Sequence, residues 1–113
     1  MQYLMLICGP ETSPETGPQD TDPALHPDAV AWTEQMQARG VHRFGSALHP
    51  TSSATTVRMR EEELLFSDGP FAETKEQILG FDLIDCADLD EAIEVAASHP
   101  AARFGSIEVR PLW

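Results

Sequence analysis

The chain has 113 residues, 42% of them hydrophobic, with 19 acidic against 7 basic side chains and a formal net charge of −12. A single domain of this length buries roughly two-thirds of the surface its unfolded chain exposes, enough for a core without covalent or metal staples. The negative field repels phosphate backbones and anionic lipid surfaces, so neither nucleic acid nor membrane is an expected partner. No apolar run approaches the roughly 20 residues that a membrane helix needs. The apolar opening "YLMLIC" is too short for a signal peptide and lacks its basic leader, so a cytoplasmic protein with Cys8 and Cys86 as reduced thiols is the expectation.

The opening residues 2–8 are apolar at every alternate position on both sides, the pattern of a strand covered on both faces. The stretch Gly9 to Pro23 is rich in proline and carboxylates, keeps no periodicity, and reads as a loop or lid. A first helix is expected from Pro27, with Leu25, Ala29, Trp32 and Met36 as its apolar stripe and Gly40 as its left-handed cap. "HRFGSALH" reads as a short strand. "TTVRMREEELLFSDG" reads as a hairpin that turns in the run Glu61 to Glu63.

The Asp68-Gly69-Pro70 turn follows, in which Gly69 is free to adopt positive φ and Pro70 keeps it from helical geometry. "ILGFDLIDC" is the next strand, with Phe81 and Leu83 on one face and Asp82 and Ile84 on the other. Asp88 and Glu91 have the spacing of a capping box at the start of a second helix. Its expected buried face is Leu89, Ala92, Ile93, Ala96 and Ala97, and Pro100 ends it. The last strand, "FGSIEVRPL", directs Ile107 and Val109 one way and Glu108 and Arg110 the other.

The order strand, helix, strand, hairpin, strand, helix, strand predicts an α+β fold: a ferredoxin-like sandwich with an added hairpin, in one domain over residues 1–113. Two helices cover one face of the sheet. The apolar second face calls for a cover too, and in a chain this short the economical one is a second copy, a homodimer.

The stretch "DGPFAETKEQILGFDLIDCADLDEA", together with "MQYLMLI", "TTVRMR" and "GSIEVRPL", resembles the DGPF branch of the YCII-related proteins over nearly the whole chain. The resemblance implies a dimeric α+β barrel in which two ferredoxin-like sheets pack face to face beside a cleft. It also implies proteins largely without assigned reactions, some encoded beside extracytoplasmic-function sigma factors. For YCII-related proteins it further implies an active His–Asp pair, the Asp in an Asp-Pro step after the second helix. Here that step reads His99-Pro100 and lacks the acid, while His26 stands near the start of helix one.

Candidate site residues follow from their chemistry. Asp68, in a corner between two strands, is a candidate general base, against the plainer role of a turn residue. His99 titrates near neutrality and is a candidate acid or base, against the plainer role of a helix-end histidine. Arg58 and Arg60 share a strand face and suit a small carboxylate ligand through forked pairing, with Phe71, Lys75 and Asp82 as further ligand-binding candidates. The alternative for these cations, and for Arg110, is pairing with local carboxylates. Cys8 and Cys86, both at carboxyl ends of strands, are read as buried small hydrophobes with a redox pair as the alternative. No metal, nucleotide or flavin motif is present, so no cofactor is expected.

Three functions compete: a cofactor-free enzyme moving a proton on a small carboxylate or aromatic acid; a non-catalytic ligand-binding or sensory protein linked to sigma-factor regulation; and a structural dimeric module. A pocket with a titratable group favours the first, an apolar pocket without one the second, and a filled core the third.

Overall fold

The computed structural model describes residues 1–11, 26–70 and 76–113. The expectations for Leu25, Phe71 and Lys75, and for most of the Gly9 to Pro23 loop, lie outside the described residues.

The elements in chain order are β1 (Gln2–Gly9), α1 (Pro27–Ala38), β2 (His42–Ala47), β3 (Thr55–Arg60), β4 (Glu63–Asp68), β5 (Gln77–Asp85), α2 (Leu89–Ala97) and β6 (Ser106–Pro111), with short 3-10 turns at Thr51–Ser53 and Pro100–Arg103. Four strands form an antiparallel sheet in the order β2-β5-β1-β6. That order is the α+β, ferredoxin-like arrangement predicted from the sequence. The hairpin β3–β4 forms a separate two-stranded sheet.

Both helices are delimited as their end residues dictate. His26 caps α1, its Nδ1 accepting from the Asp28 N–H at 3.2 Å, and Pro27 occupies the first turn, where no N–H is needed. Gly40 follows the C-cap at φ 73°, a conformation that favours glycine. At α2 the Asp88 carboxylate accepts from the Glu91 N–H at 2.9 Å, and Glu91 reaches back to the Ala87 N–H, also at 2.9 Å. The return bond thus goes one residue earlier than in the standard capping box.

One face of the sheet carries the core. Tyr3, Met5 and Ile84 pack against Trp32 and Met36 of α1 and Ala92, Val95 and Ala96 of α2. The buried stripe of α2 is therefore Ala92, Val95 and Ala96; the predicted Leu89, Ile93 and Ala97 are exposed, and Val95 is fully buried. The stripe is rotated because residues three and four apart share a face, and small alanines let the helix sit close to the sheet. Ile93 instead flanks a shallow apolar groove of about 240 Å³ with Ala96, Ala102, Ile107 and Val109. On the opposite sheet face, Phe44 packs against Phe81 with ring centroids 5.7 Å apart.

The two cysteines are separated. Strands β1 and β5 run antiparallel, so Cys8, paired with Ile78, and Cys86, beyond the Gln2–Asp85 pair, lie toward opposite ends of the sheet. Carboxyl ends of neighbouring strands meet only in parallel pairs, and this geometry removes the redox-pair alternative.

Candidate acid–base site

The strand alternation of β5 directs Asp82 to the helix-covered face, between Gly80 and Ile84. On β2 the register shifts between His42 and Phe44, with Arg43 as the extra residue. Such a bulge re-aims a side chain. Without it, His42 would share a face with Phe44; with it, His42 faces inward and its Nε2 lies 2.7 Å from Asp82 Oδ1. Gly45 is the residue opposite Asp82. A Cβ there would come within 2.8 Å of Asp82 Cγ and 2.9 Å of the Phe81 carbonyl oxygen, so the glycine leaves the space that the carboxylate occupies.

His99 arrives from the end of α2. It caps the 3-10 turn at Pro100–Arg103, its Nδ1 accepting from the Ala101 N–H at 3.0 Å. This leaves Nε2 directed at Asp82, 3.9 Å from Oδ2. Trp32 of α1 closes the cluster. Its ring meets His99 edge-on with centroids 4.6 Å apart and His42 with centroids 5.7 Å apart. Its indole N–H donates to Ser98 Oγ at 3.0 Å and to the Val95 carbonyl at 3.3 Å, which fixes the ring.

The three side chains are nearly sealed, with 6%, 10% and 11% of His42, Asp82 and His99 exposed. Burial disfavours charge on Asp82 and on His99. It pushes the Asp82 carboxyl up, against the lowering effect of the His42 hydrogen bond and charge. It pulls His99 down to about 4, and the neighbouring His42 adds to that shift. His42 Nδ1 is buried with no hydrogen-bond partner among the described residues.

The sequence candidates divide. Asp82 and His99 meet in this cluster. Asp82, from β5, lies beside the His99-Pro100 step, its Oδ2 3.9 Å from His99 Nε2. Asp68 is exposed at the end of β4, and the turn beside it has Gly69 at φ 98° with the Gly69 carbonyl accepting from Thr56 Oγ1 at 2.7 Å. It lies in no partly buried corner. Arg58 and Arg60 lie exposed on β3, where Arg60 donates to the carbonyl of Met59 at 2.8 Å. Arg110 pairs with Glu108 at 2.6 Å on the surface. His26 serves as a helix cap.

Sequence reasoning missed His42, Trp32 and Gly45 as parts of a site. The alternation of "HRFGSA" assigns His42 to the face of Phe44, and only the bulge reverses it. Among the described residues no group of three His, Cys, Asp or Glu side chains is arranged to hold a metal ion; both imidazole Nε2 atoms point at the carboxylate instead.

A four-stranded antiparallel sheet, two helices on one face and a sealed imidazole–carboxylate–imidazole cluster between them define a small α+β domain with a buried polar cluster. The YCII-related domain matches residues 1–113 of the chain. An uncharacterised protein of Rhizobium meliloti (strain 1021), R00369, is 40% identical over 114 residues, covering 99% of this chain and 92% of the relative. The chain belongs to the YCII-related family.

Proposed function

We propose that the protein is a cofactor-free enzyme that moves a proton on a small carboxylate or aromatic acid, and that the His42–Asp82–His99 cluster is its acid–base centre. The observation that carries this reading is a buried carboxylate 2.7 Å from one imidazole and 3.9 Å from another, with burial shifting Asp82 and His99 in opposite directions. Groups whose surroundings push their proton affinities in this way recur where catalysis needs a proton donor and acceptor at neutral pH.

A second copy of the chain belongs to the same reading. The face of the sheet opposite the helices presents Phe44, and the hairpin exposes Val57, Met59, Leu64 and Phe66. A two-stranded ribbon is marginally stable alone and gains from an apolar cover. Sedimentation of the purified chain is expected to give a dimer; a monomer at micromolar concentration removes this part.

The test of the catalytic reading is solvent exchange. The chain is incubated in D₂O with a panel of small carboxylates and aromatic acids, and loss of substrate C–H signals is followed by proton NMR. One or more acids are expected to exchange, and exchange is expected to stop in Asp82→Asn. The apolar groove flanked by Ile93, Ile107 and Val109 carries no titratable side chain, which favours the second reading, a non-catalytic ligand-binding or sensory protein. Acids that raise thermal stability without exchanging C–H would select that reading.

A further inference from the structure

We infer that Asp82, rather than either histidine, is the group that takes the proton, with Oδ2 as its accepting atom, His42 as the neutral N–H donor that holds Oδ1 and His99 as a neutral imidazole facing Oδ2. The inference rests on the acid–base reading of the cluster and assigns the roles within it.

The tautomers follow from the hydrogen bonds. His99 Nδ1 accepts from the Ala101 backbone N–H, so in neutral His99 the single ring proton sits on Nε2 and points toward Asp82 Oδ2. Burial holds this imidazole neutral. His42 has its Nε2 on Asp82 Oδ1 and, among the described residues, no partner on Nδ1. An unpaired buried lone pair is tolerated more readily than an unpaired buried N–H. His42 therefore carries its one proton on Nε2, donated to Oδ1, and leaves Nδ1 bare. Among the described residues Nδ1 faces no acceptor, so the geometry provides no partner for an N–H there.

The groups facing Asp82 are thus His42 from β2 and His99 from the end of α2, with the uncharged Trp32 ring from α1 beside both imidazoles. Of the two carboxylate oxygens, Oδ1 is engaged at 2.7 Å, whereas the 3.9 Å gap to His99 leaves Oδ2 without a close donor among the described residues. A proton leaving a substrate forms the O–H bond at Oδ2, while the bonding pair stays on the substrate. Asp82 becomes a neutral carboxylic acid, and returning that proton to another substrate atom closes an isomerisation without any other reactant. Gly45 keeps the space in which the carboxylate sits.

The test reads proton positions directly, by ¹⁵N spectra of the histidine rings and ¹³C spectra of the Asp82 carboxyl between pH 8 and pH 4. Both buried rings are expected to show the neutral Nε2–H pattern at pH 7.5. On acidification the Asp82 carboxyl resonance is expected to move before either buried ring gains imidazolium character, and in His99→Asn it is expected to move in the same order. An imidazolium pattern at His42 ahead of the Asp82 shift overturns the assignment, as does an Nδ1–H pattern in either ring at pH 7.5. Because these spectra require no substrate, they are decided independently of the exchange assay: acids that exchange with His42 as the protonated group would retain the acid–base centre and reject this division of roles.

Discussion

Replacing His99 by asparagine removes a titrating imidazole and keeps a side-chain acceptor for the Ala101 N–H. In the folded protein His99 is pulled from 6.5 to about 4. Between those values the unfolded chain binds a proton that the native protein refuses, so stability falls as the pH is lowered. The contribution is intact above the unfolded value of 6.5 and is lost as the pH approaches 4. At 1.36 kcal/mol per pH unit the loss amounts to about 3 kcal/mol. Asp82 acts with the opposite sign: its raised folded value makes the native state take up a proton first, which adds stability on acidification. That contribution is present in both proteins and drops out of their difference. Urea unfolding at pH 7, 5.5 and 4 is the assay. Relative to His99→Asn, the native chain is expected to lose about 2 M in midpoint between pH 7 and pH 4, for a slope near 1.5 kcal/mol/M. Parallel curves for the two proteins across this range would refute a buried neutral His99.

Gly45→Ala places a methyl group against the Asp82 carboxylate and the Phe81 carbonyl; a loss of about 1–3 kcal/mol in urea unfolding is expected, together with a displaced Asp82 carboxyl resonance at pH 7.5. Glu61 and Glu62 turn the hairpin with φ 52° and 63°, the signs of a type I′ turn that favours Asn-Gly. Glu61→Asn with Glu62→Gly is expected to relieve about 1–2 kcal/mol of local strain. Because the hairpin forms its own sheet, the gain should appear as slower amide exchange in β3 and β4. Asp88→Ala removes the acceptor for the Glu91 N–H and is expected to lower the stability of α2 by about 1 kcal/mol, measured as a fall in the urea midpoint.

Local signals in the sequence carried the architecture. The alternation in "ILGFDLIDC" placed Asp82 on one face with Ile84, and the structure buries both. Pro27, Gly40 and the Asp88–Glu91 pair marked helix ends that the backbone confirms. These signals are legible because a cap, a turn or a two-residue period depends on neighbours within a few positions. The stripe of α2 was misread for a related reason: Leu89 and Ile93 have helical spacing, yet the sheet accepts the face with Ala92, Val95 and Ala96.

The candidate site was only partly legible. Asp68 and His99 were the acid–base candidates and Asp82 only a ligand-binding one; the structure leaves Asp68 exposed at the end of β4 and puts Asp82 beside His99. His42 was hidden by a one-residue bulge that reverses its face, and Gly45 by the fact that its importance lies in an atom it lacks. The sequence by itself determined the order of strands and helices, their ends, and that Asp82 shares a strand face with Ile84. Only the tertiary structure decided that His42, Asp82 and His99 share one sealed space beside Trp32. Register, bulges and burial are set by pairings between distant segments, and desolvation, which shifts Asp82 and His99, exists only once those segments have closed around them.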